Sequence, residues 1–238
     1  MRHLIVLFCI FAFSGLAFSQ TALVKNSFDQ ATAEARRGEF EKALKDYQKA
    51  LTAAESENLS EMFFARLHFN IGVCQFQLGR FAEAETALTK SVNVSGGLYA
   101  RAFYPLGLTE TRLGKLDRAK RNFRRAIRAE DRTGEVWFDL ALVHLRENDL
   151  GGAERAFQRS IENKSVSSAD ALNNLGVIFA LTGDLEKAEN YFQKALAESN
   201  GGSAEAGKNL RFCRYFKEHQ TKELLAGFQF SRRERIGI

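Results

Sequence analysis

Residues that commonly build catalytic or metal sites are scarce in this sequence. Its 238 residues include three cysteines and four histidines. His68, His144 and His219 are widely separated, and no HExxH or paired-cysteine spacing is present that would ligate a metal. No glycine-rich phosphate-binding loop follows a strand, because no segment has a convincing strand pattern. We therefore expect no catalytic residues, no metal site and no cofactor.

A large excess of charge of one sign is lacking as well. The chain has 34 lysines and arginines against 29 aspartates and glutamates, which gives a formal net charge of +5 at pH 7. Such mild basicity does not by itself indicate a nucleic-acid partner. We therefore expect no binding to nucleic acid.

The longest apolar run lies near the start of the chain, from Leu4 to Phe13. A short basic start precedes it, and the small residues Ala17 and Ser19 follow it. This order is typical of a secretory signal peptide. The run is also shorter than the ~20 apolar residues that a membrane-spanning helix needs. We predict that residues 1–19 are a signal peptide cleaved after Ser19; the alternative is an uncleaved segment that anchors the protein in the membrane.

A short turn-like string recurs along the rest of the chain. Each copy has a glycine or asparagine, one further residue, a leucine or phenylalanine, and an alanine three residues later. Successive copies begin 41, 35, 34 and 35 residues apart, and a period near 34 is the length of a helix-turn-helix repeat. The copies begin at Gly38, Gly79, Gly114, Asn148 and Gly183.

Each string lies between two amphipathic segments, as the fifth copy shows. Its apolar residues are three or four apart, so they share one face of each helix. Gly176 and Ala188 are small at the place where the two helices cross, and Phe192 fills the space that they leave. Gly183 follows the first helix, where a left-handed backbone conformation ends a helix at low cost. The apolar residues are Leu172, Leu175, Gly176 and Phe179, then Leu185, Ala188, Phe192 and Ala195.

These residues resemble the tetratricopeptide repeat family, in which Leu-Gly, an aromatic residue, Ala, Phe and Ala recur in each repeat. The resemblance covers residues 24–200, is weakest in the first repeat, and lacks the family's usual proline at the end of each repeat. It implies an all-α fold, a right-handed α-α superhelical solenoid of about five repeats. The predicted repeats are 24–57, 65–98, 100–133, 134–167 and 169–202, followed by a capping helix over 203–217 and an unassigned tail over 218–238.

Three local features carry further expectations. The first two copies are seven residues further apart than the period, so we expect an extended helix or a longer turn near residues 57–64. Pro105 lies inside the first helix of the third repeat and should kink or locally unwind it. Cys74 falls in the second repeat and Cys213 lies beyond the fifth. A linear stack would keep them far apart, so we expect no disulfide between them.

The resemblance also implies a binding surface. In the family, the first helices line a concave groove, and fixed positions of each repeat face into it. One of these columns is aromatic in four of the five repeats, which repeat packing does not require, and apolar patches of this kind mark binding surfaces. The predicted groove residues are Phe28, Phe69, Val73, Phe76, Tyr104, Leu108, Phe138, Leu142 and Asn173, with a rim of Arg66, Arg101 and Arg112.

Two alternatives stay open for these surfaces. The groove aromatics can instead pack on neighbouring helices or on the chain's own tail, because aromatic stripes at helical spacing often belong to a core. A second surface, the basic helix over residues 115–128, can contact a membrane or an acidic partner. Its alternative is an ordinary solvated face.

The sequence therefore predicts a non-enzymatic protein-protein interaction adaptor or scaffold that is exported to the bacterial periplasm, with secretion from the cell as an alternative. It would hold an apolar or amphipathic segment of a partner protein in its groove. Two other functions fit the same pattern: a chaperone-like holder of one secreted substrate, and a structural spacer that associates with itself. Neither the partner nor the oligomeric state follows from the sequence.

The signal peptide gives a direct prediction. Protein purified from its native host should begin at Gln20, because the peptidase would cut after Ser19. Mass spectrometry of the intact protein measures this. A mature chain that still begins at Met1 would contradict cleavage and favour the anchored alternative.

Overall fold

The structure is a computed structural model that describes residues 22–129, 133–163, 168–219 and 227–231. The predicted signal peptide and most of the predicted tail lie outside these residues. The chain divides into two compact units, the first ending at Lys115 and the second beginning at Leu116.

The described residues of the first unit form helices joined by short turns. A single turn of 3-10 helix, Ala100–Ala102, precedes the last of them. The helices are α1 (22–36), α2 (Phe40–Ala54), α3 (Glu61–Gln77), α4 (Phe81–Val94) and α5 (Phe103–Arg112).

The second unit continues the same pattern. Each helix packs against the next, and α11 also contacts α9. The helices are α6 (Leu116–Arg128), α7 (Thr133–Arg146), α8 (Leu150–Glu162), α9 (Ser168–Leu181), α10 (Leu185–Glu198) and α11 (Ala204–His219).

The turn residues predicted from the repeated string adopt left-handed backbone conformations. Gly183 has φ of 90°, and the equivalent glycines at 38, 79 and 114 have φ between 73° and 77°. Asn148 takes the same role with φ of 58°, which fits the tolerance of asparagine for this region. The predicted conformation of Gly183 is therefore confirmed.

Hydrogen bonds fix where several helices begin. Ser60 Oγ accepts from the backbone N–H of Phe63 at 3.3 Å, so α3 begins after a six-residue connection from α2. The helix α3 also has 17 residues, against 14 in α7 and in α9, so an extended helix as well as the connection accounts for the longer first offset. Asp149 and Asp184 cap α8 and α10 in the same way, which satisfies backbone donors that have no partner within the helix.

The two helices of a repeat approach closely because a small residue on the first meets a large one on the second. A Cβ added at Gly176 of α9 would lie 2.5 Å from the Phe192 ring of α10. A Cβ added at Gly72 of α3 would lie 2.6 Å from Leu88 of α4. Both pairs are buried, so neither large side chain can move aside into solvent.

A buried serine makes a second contact between paired helices, and the two residues that it joins are equally far apart in sequence in both units. Ser91 Oγ of α4 donates to the carbonyl oxygen of Ala65 at 2.7 Å. Ser160 Oγ of α8 donates to that of Gly134 at 2.8 Å. Each serine lies 26 residues after its acceptor, so the two units repeat the same internal geometry.

Two further expectations can be compared with the structure. Pro105 lies in the first turn of α5, where its missing N–H removes no helical hydrogen bond. A 3-10 turn, Ala100–Ala102, directly precedes α5, so the backbone is locally irregular just before the proline. Cys74 and Cys213 are buried free thiols in this structure.

The helix α11 ends the series of described helices and covers α9 and α10. Cys213 is buried, Leu210 and Phe216 are half-buried, and the basic residues between them are exposed. Asn209 is buried as well, which its polar side chain did not suggest. In the part of the chain that the structure describes, no helix combines the length and the apolar composition needed to cross a bilayer.

The Gly176 contact gives a stability prediction. We expect Gly176→Ala to lower the free energy of unfolding by about 1–3 kcal/mol, because the added methyl group overpacks against Phe192. Urea unfolding monitored by circular dichroism measures this change.

Gly151→Ala is the matched control, since Gly151 is exposed and its added Cβ would meet nothing closer than 3.5 Å. That variant should be neutral or more stable by up to about 1 kcal/mol. Equal effects at the two glycines would show that the close approach of α9 and α10 is not needed for stability.

Candidate protein-binding surfaces

Burial divides the predicted groove residues into two groups. Five side chains are buried: Phe28, Phe76, Tyr104, Phe138 and Asn173. The other groove residues are half-buried, and the three rim arginines are exposed: Phe69, Val73, Leu108 and Leu142, then Arg66, Arg101 and Arg112. Whether any of these residues contacts a partner stays a prediction, but only the second group reaches the surface.

In the first unit, α3 has apolar residues on more faces than packing uses. Leu67, Ile71 and Cys74 point into the core cluster shared with α1 and α2. Phe69 and Val73 lie one helical turn apart on a different face and remain half-exposed. An apolar side chain that a helix does not need for its own core is available to another chain.

The rim arginines are stacked on groove aromatics in a repeated arrangement. The guanidinium carbon of Arg66 lies 5.1 Å from the centre of the Phe28 ring, and that of Arg101 lies 6.0 Å from the centre of the Phe69 ring. In both pairs the arginine lies near the start of the repeat that follows the repeat of the phenylalanine. A cation over a ring face contributes about 0.5–1 kcal/mol at an exposed site. These contacts therefore orient the arginines but are weak enough for an acidic ligand to replace them.

Tyr99, which the sequence did not single out, also belongs to this surface. Its ring meets the Phe69 ring edge-on, with centroids 5.3 Å apart. Phe69 is therefore held between Tyr99 and Arg101 and has a defined orientation. The edge-to-face geometry is the one that aromatic pairs prefer.

In the second unit, the predicted groove residues belong to a packed core. Phe138 is fully buried and meets the Phe157 ring edge-on at 5.3 Å. Leu142 is half-buried against the same cluster, which also includes Leu175. Phe138 therefore packs against neighbouring helices, which is the alternative stated above for the groove aromatics.

Asn173 contacts the chain's own C-terminal segment. Its Nδ2 donates to the carbonyl oxygen of Gln229 at 3.2 Å and to Ser231 Oγ at 3.0 Å. Residues 227–231 thus lie against α9 and α11, at the position where the repeat pattern predicted a partner. Part of the predicted tail therefore covers this predicted groove position.

Two more asparagines hold the backbone of this segment. Asn209 Nδ2 donates to the Gln229 carbonyl oxygen at 2.7 Å, while its Oδ1 accepts from the Gln229 N–H at 3.0 Å. In the same way, Asn174 Nδ2 donates to the Ser231 carbonyl oxygen at 3.1 Å, and Asn174 Oδ1 accepts from the Ser231 N–H at 2.6 Å. Asn209 Nδ2 also donates to Asn173 Oδ1 at 2.8 Å, which orients Asn173.

Aromatic contacts fix the side chains of the segment. The Phe228 ring meets the Phe212 ring edge-on at 5.2 Å and stacks on the Phe192 ring at 6.0 Å. Phe230 packs against the clusters that contain Phe138 and Val177. Gln229 between them is exposed. The sequence offered one signal for this contact, the alternation of Phe228 and Phe230, which is a strand-like period in a helical protein.

The described residues contain no group of side chains placed to hold a metal ion. No three of their histidine, cysteine, aspartate and glutamate side chains cluster as metal ligands would. Burial raises the pKa of the Cys74 thiol to about 12 and also raises that of Cys213. Both thiols are therefore protonated near neutral pH and poor nucleophiles.

The basic surface predicted over residues 115–128 is partly neutralised within the protein. Lys120 donates to both carboxylate oxygens of Glu147, at 2.7 Å and 2.8 Å, and its side chain is mostly covered. Lys115 bonds to Glu85. The arginines of α6, at 118, 121, 124, 125 and 128, are exposed. Contact of this surface with a membrane or an acidic partner stays a prediction.

Comparison with known families agrees with the fold. Three family profiles match the sequence, over residues 21–95, 104–168 and 169–198, and each is described as a tetratricopeptide repeat. Together they cover most of the described chain. No curated protein matches the sequence significantly.

Solved structures with the same fold include MamA, YrrB and PilF. MamA is 22% identical, with a TM-score of 0.64 over 75% of this chain and 92% of MamA. YrrB, described as a tetratricopeptide repeat protein with an unusual peptide-binding site, is 23% identical, with a TM-score of 0.61 over 81% of this chain and 90% of YrrB. PilF of Pseudomonas aeruginosa is 17% identical, with a TM-score of 0.66 over 88% of this chain and 90% of PilF.

At these identities the structural matches show the fold alone. The fold is all-α and built from helix-turn-helix repeats, and the sequence profiles name the same repeat independently of the structure. Such repeats typically form protein-interaction domains rather than catalytic ones. The chain belongs to the tetratricopeptide repeat family.

Proposed function

We propose that this protein is an exported, non-enzymatic adaptor that binds an apolar or amphipathic segment of a partner protein on the first helices of its repeats. In the first unit the binding surface is the face of α3 and α5 that carries Phe69, Val73 and Leu108. The rim arginines Arg66 and Arg101 set the orientation of the bound segment.

The observation that carries this proposal is the half-exposed apolar face of α3. Neither Phe69 nor Val73 belongs to the buried cluster that α3 shares with α1 and α2, and both apolar side chains remain partly exposed. Exposing a phenylalanine and a valine side by side forgoes hydrophobic stabilisation of about 25 cal/mol for each Å² left in water. A partner segment that covers this face would recover that free energy.

The charge beside this face specifies the segment further. Arg66, Arg101 and Arg112 are all exposed, so a partner with acidic residues next to its apolar ones would be attracted and oriented. The peptide-binding site named in the description of YrrB supports the same class of partner for a protein of this fold. Export to the periplasm rests on the signal-peptide pattern of residues 1–19.

Substitution at Phe69 tests the proposal. Proteins crosslinked to the tagged chain in membrane and periplasmic fractions of the native host should be recovered with the unsubstituted protein. They should be reduced at least about tenfold with Phe69→Ser, because the variant loses apolar contact area at the centre of the surface. Quantitative mass spectrometry of the recovered proteins measures the ratio.

Phe81→Ser is the matched control. Phe81 is also half-buried and meets one aromatic ring edge-on, Phe76 at 5.4 Å, but it lies on α4, a second helix. It should retain the partner, and circular dichroism should show equal helicity in both variants. Equal recovery with Phe69→Ser and the unsubstituted chain would contradict the proposed surface.

A further inference from the structure

We propose that the cleft between α9 and α11 is a binding site for an extended segment of another protein with the pattern aromatic, any residue, aromatic, small polar residue. Residues 228–231, Phe-Gln-Phe-Ser, occupy the site as an internal copy of that ligand. This inference deepens the proposed function, since it names the partner segment for the second unit. It rests on contacts made by described residues of the second unit.

The asparagine contacts are those of a peptide-binding site. In an extended chain, the N–H and C=O of residues i and i+2 point to the same side. Asn209 pairs with both groups of Gln229, and Asn174 pairs with both groups of Ser231. A side-chain amide has a donor and an acceptor in one plane, so the two asparagines bind the segment as a neighbouring strand would. This recognition does not depend on the side chains of the ligand.

These asparagines need an occupant. Asn173, Asn174 and Asn209 are at most 1% exposed, and each of them bonds to residues 229–231. With residues 229–231 in place these amides are shielded from water and paired, and loss of the segment would leave their donors and acceptors to be satisfied by water or by another chain. Polar residues at these positions would be poor choices for a purely structural helix interface, where apolar side chains pack as well without that cost.

Side-chain contacts supply the selectivity. Phe228 is enclosed by the Phe212 and Phe192 rings, and Phe230 enters a second apolar region. Gln229 is exposed, so the site accepts any residue there. Ser231 is 3% exposed and its Oγ accepts from Asn173, so a small residue with a hydroxyl fits the last position.

An internal ligand weakens binding of an external one without abolishing it. The tail is present at an effective concentration that is commonly in the millimolar range for a tethered segment. A partner must outcompete it, and the apparent affinity falls by the fraction of molecules in which the cleft is open. Release of the tail should therefore reveal the site.

The test uses the full chain with Phe228→Ala and Phe230→Ala, which removes the aromatic anchors of the tail. The probe is a fluorescein-labelled peptide with the sequence of residues 225–233, and fluorescence anisotropy measures its dissociation constant. We expect the peptide to bind the double variant at least about tenfold more tightly than it binds the unsubstituted chain. A peptide with alanine in place of both phenylalanines should not bind, and one with alanine in place of the glutamine should bind equally well.

Asn209→Ala added to the double variant locates the site. It should weaken peptide binding at least about tenfold, since it removes both bonds to one ligand residue. Gln229→Ala in the full chain is the matched control for the tail, because that side chain is exposed and the tail should stay bound and block the peptide. If the double variant loses helicity, Phe230→Ala alone, which truncates a half-buried ring, takes its place.

Absence of peptide binding to a folded variant with a released tail would overturn the inference, and residues 227–231 would then be a structural cap. Binding that Asn209→Ala leaves unchanged would also overturn it. The peptide titration is independent of the recovery of partners through Phe69. Failure of the titration would leave the first-unit surface intact, and failure at Phe69 would leave the second-unit site intact.

Discussion

The close approach of paired helices, with a small residue on the first and a large one on the second, is the contact on which the repeat fold depends. Gly176 meets Phe192, and Gly72 meets Leu88, each 16 residues further along the chain. Ala141 and Phe157 have the same spacing and belong to one buried cluster. Because the backbones lie so close, a methyl group at either glycine would collide with a buried side chain that cannot move aside.

This contact determines which faces remain for other purposes. Once the small face of a first helix packs on its own partner helix, and a second face on the neighbouring repeat, the role of the third face differs between repeats. Phe138 of α7 is buried there against Phe157, whereas Phe69 of α3 is only partly covered. In α3 that face carries Phe69 and Val73. In α9 it carries Asn173 and Asn174, which bind the backbone of residues 229–231. The two units thus use the same kind of face with different chemistry, one apolar and one polar.

The fold and the turn conformations could be predicted from the sequence because they repeat. Five copies of one string, near a period of 34, predict helix pairs, and the positive φ of Gly183 follows from its place in the string. Pro105 shows where periodicity is too coarse. A shift of two or three residues in the start of α5 places the proline in the first turn, where it is tolerated, and the pattern does not resolve such a shift.

The candidate site was harder to predict, for a physical reason. A repeat position states which way a side chain points but not how deep it lies. Phe69 and Phe138 occupy the same column, yet the first is half-exposed and the second is fully buried against Phe157. The depth depends on the size of the neighbours and on the returning tail. The described end of that tail, residues 227–231, contains no α-helix and carries no periodic signal apart from the alternation of Phe228 and Phe230.

The claim that first-helix faces bind other proteins can be tested directly by placing a photoreactive phenylalanine analogue at position 69 and, separately, at position 81. The account predicts that irradiation in the native host crosslinks position 69 to a second protein, identified by mass spectrometry, and that position 81 gives no such product. The same crosslinked proteins from both positions, or products from position 81 alone, would contradict it.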